Sequence, residues 1–319
     1  MAFSCRSKFA SLIILILLAV GAASAQTFPT RPIRIVLGTA GGGDDATARI
    51  IAAGIAGPLG QPVIVDNRGS GIIAAELVSR APSDGYTLHL NGSAFWNNPL
   101  LREVRYAVAD FAPISLIQRD VFVLAVHPTV PVKSVRELLD MAKARPGQLN
   151  YSSGAAGASA HLAFELFKSM AGINIVRIAY KGGSPAVTGL VAGEVQTSIF
   201  DAILIMPLAK AGKLRALAVT TAQPTPLVAG LPTVSESGVP GYEAGGLLGI
   251  YAPDKTPAAV INRLNQEIVR VLTQAEAKEK FFNAGVEVVA SSPEEFAAII
   301  KSETAKIAKV IKDAGIKID

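Results

Sequence analysis

The sequence predicts an α/β protein made of two interleaved lobes, each containing a mostly parallel sheet flanked by helices. The first observation is that apolar runs rich in valine and isoleucine alternate with helical patterns along the whole chain. The second is that capping residues mark the helix ends clearly. The third is that no low-complexity tract or long linker divides the chain, which favours interleaved lobes over two domains joined in series.

The first 25 residues have the organisation of a secretory signal peptide. Arg6 and Lys8 give a positive start, residues 11–20 form an uncharged apolar run, and residues 23–25 (Ala-Ser-Ala) form a small-x-small cleavage site. The apolar run is too short for a membrane span, which needs about 20 apolar residues. We therefore expect export to the periplasm, with cleavage after about Ala25.

The chain that follows the signal peptide has no cysteine and little net charge. The formal charge is +5; Arg6 and Lys8 supply two of these charges and no acid precedes Ala25, so the mature chain carries about +3. Cys5 leaves with the signal peptide, so no disulfide forms. Basic runs with interleaved aromatic residues do not occur, which excludes a nucleic-acid partner, whereas a weak positive balance is compatible with an anionic ligand.

Short apolar runs predict the strands, and capping residues predict the helix starts. The predicted strands are residues 33–37, 62–66, 86–90, 121–126, 149–152, 176–180, 197–200, 214–220 and 247–251. Ser134 with Glu137 forms a capping box, and so do residues 292–295 (Ser-Pro-Glu-Glu). Residues 184–185 (Ser-Pro) and 256–257 (Thr-Pro) place a cap before a proline at the first helical position. The last predicted helix stops at residue 315 and carries an apolar stripe of Phe296, Ile299, Ile300, Ile307, Val310 and Ile311.

Two glycine-containing loops have the character of anion sites. The strand at 33–37 leads into residues 38–45 (Gly-Thr-Ala-Gly-Gly-Gly-Asp-Asp) and then a helix predicted over 46–55. A helix start offers free N–H groups and partial positive charge, and glycine lets a ligand approach them. A second such loop, 151–161, follows the strand at 149–152. A plain tight turn is the alternative interpretation of the first loop, because neither dinucleotide nor P-loop spacing is present.

A set of short motifs in order resembles one receptor family over nearly the whole mature chain. The motifs are residues 31–34 (Arg-Pro-Ile-Arg), 41–43 (Gly-Gly-Gly) with Asp45 and Arg49, 59–63 (Leu-Gly-Gln-Pro-Val) with Asn67 and Arg68, 84–88 (Asp-Gly-Tyr-Thr-Leu), 110–114 (Asp-Phe-Ala-Pro-Ile), 151–154 (Tyr-Ser-Ser-Gly), 161–167 (His-Leu-Ala-Phe-Glu-Leu-Phe), 180–182 (Tyr-Lys-Gly) with Pro185 and Ala186, 211–219 (Ala-Gly-Lys-Leu-Arg-Ala-Leu-Ala-Val), and 232–234 (Pro-Thr-Val) with Glu236, Gly238 and 240–241 (Pro-Gly). The chain resembles the substrate-binding proteins of tripartite tricarboxylate transporters, also called Bug receptors or TctC-like proteins.

The resemblance implies a Venus-flytrap fold of the periplasmic binding protein type. Two crossing strands would form the hinge, near residues 122–127 and 246–251. Residues 26–124 and 246–319 would form one lobe and residues 125–245 the other. In this family the two glycine-containing loops grip a ligand carboxylate. The implied ligand contacts on this chain are Thr39, Ala40, Gly41, Gly42, Ser93, Ser152, Ser153, Gly154, Gly157, Ser159 and Asp201.

The function that the resemblance implies is capture of a small carboxylate, such as an organic acid, a dicarboxylate, an aromatic acid or an amino acid. The partners would be the membrane permease subunits of the transporter or, alternatively, a two-component sensor kinase, and we expect a monomer without cofactor. The chain departs from the family in two shortened loops, at 38–40 and 69–71, and in Leu247 where a tryptophan is usual. Phe95 and Trp96 would then offer an aromatic surface, although ordinary packing is the simpler interpretation.

An enzyme or a metalloprotein is the less favoured interpretation. A periplasmic hydrolase using Ser152 or Ser153 would need a base, and neither a G-x-S-x-G elbow nor a suitably placed histidine is evident. His89, His127 and His161 lack the spacing of a metal site. His161 is at least as well explained by a structural hydrogen bond. The spacing of Asp45 and Arg49 indicates a helix ion pair.

Overall fold

The structure is a computed structural model that describes residues 28–38, 40, 43–154 and 156–316. The predicted signal peptide lies outside the described residues, and so do Thr39, Gly41 and Gly42 of the first predicted loop. The strands are β1 (Ile33–Leu37), β2 (Val63–Asn67), β3 (Thr87–Gly92), β4 (Phe111–Asp120), β5 (Phe122–Val126), β6 (Asn150–Ser153), β7 (Val176–Ala179), β8 (Thr197–Asp201), β9 (Arg215–Val219), β10 (Leu247–Pro253) and β11 (Val286–Val288).

The helices lie between these strands and flank the sheets, as expected of an α/β protein. They are α1 (Gly43–Leu59), α2 (Gly71–Val78), α3 (Ala94–Leu101), α4 (Val135–Ala144), α5 (Ser159–Ala171), α6 (Gly183–Val191), α7 (Ala202–Lys210), α8 (Ala258–Thr273), α9 (Ala275–Asn283) and α10 (Pro293–Ala314), with single 3-10 turns at Val108–Asp110 and Pro226–Val228. Among the described residues, no helix combines the length and apolar character that a membrane span requires.

The strands form two sheets, which confirms the two-lobed α/β prediction. The first sheet has the order β11-β4-β10-β3-β1-β2 and the second has the order β7-β6-β8-β5-β9. Both sheets are mixed rather than mostly parallel: β1 pairs in parallel with β2 and β3, but β10 runs antiparallel to β3 and β4. In both sheets every antiparallel pair includes β4, β5 or β10, the strands that adjoin the crossings between the lobes. We call the lobe around the first sheet the first lobe and the other the second lobe.

Two chain segments cross between the sheets side by side. Strand β4 of the first sheet ends at Asp120 and strand β5 of the second begins at Phe122, so a single residue separates them. The returning segment enters β10 after Gly246, and the Asp120 amide donates to the Gly246 carbonyl at 2.8 Å. These crossings lie next to the predicted hinge ranges. The division of the chain into lobes at residues 124–125 and 245–246 stays a prediction.

Each lobe has its own apolar core, and the last helix reaches both. In the second lobe Tyr151 and Phe164 stack with ring centroids 3.8 Å apart. In the first lobe Tyr251 packs against Phe296, at the start of α10, with centroids 5.1 Å apart. Val310, near the end of α10, belongs to the core of the second lobe. The predicted apolar stripe therefore bridges the two lobes instead of docking on one of them.

Two of the four helix starts that were predicted from caps agree with the structure, those after Ser134 and Ser292. Ser292 and Glu295 form the reciprocal capping box, and Ser134 accepts from the Glu137 amide at 3.2 Å. Helix α8 begins after Pro257, which is its N-cap and not its first helical residue. Helix α6 begins before Ser184 with Gly182 as the N-cap, at a φ of 125° that favours glycine. These two predicted proline starts were therefore misplaced by one or two residues.

Candidate functional site

A cavity of about 390 Å³ lies between the lobes. The first lobe contributes the start of α1, the end of β4 and part of α9, while the second lobe contributes Asp201 and Ile203. Gly43, the first residue of α1, lines the cavity, so the cavity adjoins the end of the first predicted loop. This volume falls in the range of small-molecule sites, which is about 300–1,000 Å³. Its place between two lobes, at the ends of strands, is also typical of ligand sites in α/β proteins.

A short hydrogen-bonded chain forms one wall of the cavity. The buried Thr47 hydroxyl donates to the Gln118 amide oxygen at 2.9 Å, and the Gln118 amide nitrogen donates to the Asp120 carboxylate at 3.3 Å. Because an ionised carboxylate can only accept, the NH₂ group of Gln118 faces Asp120, and its amide oxygen is left to accept from the Thr47 hydroxyl. The end of β4 is thereby held at the junction between the lobes.

Three carboxylates face this cavity from different elements. Asp44 comes from α1, Asp120 from β4 and Asp201 from the end of β8. Burial, followed by the charges of Asp201 and Asp44, raises the pKa of Asp120 to about 7, while the hydrogen bond from Gln118 opposes the shift. Burial also raises the pKa values of Asp44 and Asp201. Asp44 is exposed at the rim of the cavity, but enough protein surrounds it to disfavour its charged form.

Asp45 differs from its neighbour Asp44 because its charge is matched within the first lobe. Arg49 donates to one carboxylate oxygen at 3.1 Å, which is the predicted ion pair, and Asn67 donates to the other at 3.1 Å. Asp45 is buried and fixes the start of α1 against the end of β2. It serves the scaffold, while Asp44 is directed toward the cavity.

Ser152 and Ser153, at the start of the second predicted loop, are engaged inside the second lobe. The Ser152 hydroxyl bonds to the Ser198 hydroxyl at 3.1 Å, and Ser153 accepts from Arg177 Nε at 2.6 Å. Arg177 also donates from Nη2 to the Gly154 carbonyl at 2.9 Å. A guanidinium thus fixes the loop backbone where β6 ends. The sequence prediction missed Arg177, because one arginine in a short strand gives no signal of its own.

His161 holds the other end of this loop. The Gly157 amide donates to His161 Nδ1 at 3.0 Å, so Nδ1 lacks a proton and Nε2 carries it in the neutral ring. Burial lowers the pKa of His161 to about 4, with the charge of Arg177 acting in the same direction. The structural interpretation of His161 therefore agrees with the geometry.

Ser93 and Ser159 meet across the lobes. Their hydroxyl oxygens are 3.2 Å apart, at the starts of α3 and α5 respectively. Both line a separate cavity of about 30 Å³ beside Trp96, which is buried, as is Phe95. Both rings are packed in the first lobe, and the replaced position Leu247 joins their cluster, so ordinary packing describes them.

The predicted contact residues thus occupy several places in the described part of the chain. Asp201 lines the large cavity, Ser93 and Ser159 the small one, and Ser152, Ser153 and Gly154 are buried at the end of β6. Ala40 is exposed next to the first loop. Asp120, Gln118 and Thr47 were not predicted. Within the described residues, no group of three histidine, cysteine or acidic side chains is arranged to hold a metal ion.

Comparison with known proteins identifies the family. The model of the tripartite tricarboxylate transporter family receptor, TctC, matches residues 47–316. Protein BugT of Bordetella pertussis is 32% identical over 302 residues, covering 92% of this chain and 93% of BugT. The structure of R. palustris Rpa4515 with adipate is 38% identical with a TM-score of 0.75, covering 91% and 99% of the two chains. That of MatC from Rhodopseudomonas palustris with bound malate is 25% identical with a TM-score of 0.71, covering 89% and 100%. The chain therefore belongs to the tripartite tricarboxylate transporter receptor family of periplasmic solute-binding proteins.

Proposed function

We propose that this protein is an exported receptor that captures a small carboxylate and delivers it to the permease subunits of a tripartite tricarboxylate transporter. The observation that carries the proposal is the cavity of about 390 Å³ between the two lobes, in a chain of this receptor family. Relatives of known structure hold adipate and malate, which supports a carboxylate as the ligand. Export follows from the predicted signal peptide, and the receptor acts as a monomer.

The carboxylate would be held by backbone N–H groups at the loop before α1, where Thr39, Ala40, Gly41 and Gly42 precede Gly43. Free amides at a helix start favour an anion without any basic side chain. The second loop, which Arg177 fixes through Ser153 and Gly154, would close on the same ligand from the second lobe. Asp201 would contact the far end of the ligand, because it lines the cavity from the second lobe.

A binding role without catalysis agrees with how the candidate nucleophiles are bonded. Ser152 and Ser153 are bonded to Ser198 and Arg177, and not to a histidine that would take a proton. Their hydroxyls are buried within the second lobe. These hydrogen bonds fix the second loop, and a fixed loop can present its backbone N–H groups to a ligand.

Recovery of the native ligand tests this function. Protein purified from its native periplasm without denaturation should release a small carboxylate that mass spectrometry identifies, and calorimetric titration should show that it rebinds. Gly42→Val should abolish rebinding without unfolding the protein, because a β-branched side chain blocks the loop backbone, whereas the exposed Asp140→Asn should bind normally. A recovered ligand without a carboxylate, or normal binding by a folded Gly42→Val protein, would contradict the proposal.

A further inference from the structure

The two lobes touch at a point where the backbone alone fixes the atoms on both sides. A Cβ atom on Gly285, which precedes β11 in the first lobe, would lie 3.3 Å from the Cβ atom of Ile203 in α7 of the second lobe. Carbon atoms in ordinary contact are about 3.5–4.0 Å apart. Neither residue can yield by rotating a side chain, because the backbone determines where a Cα or Cβ atom lies. We call this contact between Ile203 and Gly285 the hinge contact.

The hinge contact lies beside the segment that crosses from β4 to β5. The residue before Ile203 donates its amide to the Val121 carbonyl at 2.7 Å, and Val121 is the single residue between the two strands. The residue after Gly285 pairs with Asp120, the last residue of β4. Displacement in a rotation grows with the distance from the axis. A small displacement at the hinge contact therefore moves the distant parts of the lobes by a larger amount.

The hinge contact also borders the cavity between the lobes. Ile203 lines the cavity of about 390 Å³ from the second lobe, and Ala284 and Val286, on either side of Gly285, line it from the first. The angle between the lobes at this place determines how far apart the walls of the cavity stand. A ligand that bridges the lobes must match that separation.

We propose that the hinge contact is the stop that sets the angle of the closed lobes and thereby selects the length of the ligand. The inference rests on the proposed receptor function and adds the residues that determine ligand size. Ile203 and Gly285 act as positioning residues, because they fix the separation of the cavity walls. The contact between Ser93 and Ser159 is less suited to this role, because it is formed by hydroxyl groups that can rotate.

Gly285→Ala tests the stop, and Gly60→Ala is its matched control. Both glycines lie just past the end of a helix, with φ values of 75° and 67°, and their amides donate to the carbonyl three residues earlier at 2.9 and 3.0 Å. Alanine therefore brings a similar backbone strain at both positions. The new methyl group at position 285 meets Ile203, whereas at position 60 no described residue other than the chain neighbours lies within 4 Å of it. A difference between the variants thus reports the contact and not the strain.

Calorimetric titration with acids of increasing length measures the effect. The probes are the unbranched dicarboxylates from succinate to suberate and the unbranched monocarboxylates from propionate to octanoate. Gly285→Ala should hold the lobes further apart and shift the preference toward an acid one methylene longer, changing the affinity ratio of the two acids by about tenfold. Gly60→Ala should keep the ratio of the wild type, with circular dichroism confirming that both variants fold.

An unchanged ratio in the folded Gly285→Ala protein, or an equal shift in Gly60→Ala, would overturn the inference and leave the receptor function standing. Binding of none of these acids by the wild type would contradict the receptor function instead. Crystal structures of the wild type and Gly285→Ala would then decide on the stop: a wider angle between the lobes in the variant would support it, and an unchanged angle would overturn it.

Discussion

Burial shifts the pKa values of His89 and Asp120 in opposite directions, because it disfavours the charged form of each side chain. His89 lies in the first lobe, where its Nδ1 bonds to the Val36 carbonyl at 3.1 Å and its Nε2 to the Asn91 amide at 3.1 Å. The neutral ring satisfies both contacts, donating from Nδ1 and accepting at Nε2, and burial lowers its pKa to about 4. Burial also favours the neutral form of Asp120 by raising its pKa to about 7, but Asp120 lines the cavity between the lobes. His89 is enclosed within one lobe, whereas Asp120 faces the cavity.

Asp120 should therefore reduce the stability of the ligand-free protein above neutral pH. Its pKa in the folded state is about 7, above the usual 3.8, so the destabilisation is absent below about pH 4 and complete above about pH 7. Asp120→Asn should raise the free energy of unfolding on the order of 2 kcal/mol at pH 8 and by much less near pH 4.5. Urea unfolding at both pH values measures this difference.

The exposed Asp140→Asn serves as the control, since removing a charge on the surface of α4 should have a small effect that is equal at both pH values. A gain for Asp120→Asn that is the same at pH 4.5 and pH 8 would contradict the raised pKa. A loss of stability at pH 8 would show that the carboxylate supports the fold.

For single residues, the sequence predicts a position when that position depends only on neighbours along the chain. Asp201 follows a predicted strand directly, and it does line the cavity. Asp120 is the last residue of β4, but that strand was not predicted, and the position of Asp120 relative to Asp44 depends on how α1 packs on the first sheet. The role of Arg177 depends likewise on the pairing of β6 with β7. Such relations exist only in the folded chain, so no pattern along the sequence predicts them.

Among the elements, β4 shows why some strands escape prediction. It is ten residues long and pairs with β10 and β11, yet it contains Pro113, Ser115 and Gln118. The polar side chains are satisfied by other elements: Ser115 donates to the Ser291 carbonyl at 2.8 Å, and Gln118 bonds to Thr47. Short β11 was missed as well. The helix caps were predicted with more success because a cap needs only residues a few positions away.

The returning segment before β10 is packed so closely against β4 that it requires glycine. A Cβ atom on Gly245 would lie 2.6 Å from the Asp120 carbonyl oxygen, which belongs to the backbone and cannot rotate away. Gly245→Ala should therefore force the two crossing segments apart and lower the free energy of unfolding by about 1–3 kcal/mol. Chemical denaturation measures the loss.

Gly183→Ala, in the first turn of α6, is the matched control. Its Cβ would lie 3.4 Å from the Phe200 ring, an ordinary contact, so this variant should be as stable as the wild type or slightly more stable. Equal stability of the two variants would show that the crossing segments tolerate separation and are not held together by close packing.

For the whole molecule, the relevant feature is that three parts of the described chain connect the two lobes. Two are the crossing segments, and the third is α10, which begins on the first lobe at Phe296 and ends in the core of the second at Val310. One polar contact adds to this third connection, because Lys306 of α10 donates to the Glu243 carbonyl at 3.3 Å; the pair of Lys306 with Glu303 at 2.6 Å lies within α10. We therefore expect opening to rotate the lobes about these connections and to change the contact between Ser93 and Ser159, which border the same small cavity as Lys306 and Gly245.

A disulfide between those two positions should trap the closed arrangement. The one cysteine of the sequence, Cys5, lies in the predicted signal peptide, so Ser93→Cys with Ser159→Cys introduces a single pair of thiols into the chain that follows it, where the hydroxyl oxygens are now 3.2 Å apart. Small-angle scattering of the ligand-free protein should give a smaller radius of gyration when the pair is oxidised than when it is reduced, because only the reduced form opens. Each single cysteine variant should behave as the reduced protein in both conditions. An oxidised pair with an unchanged radius would mean that the ligand-free protein is already closed, and hinge motion would then play no part in capture.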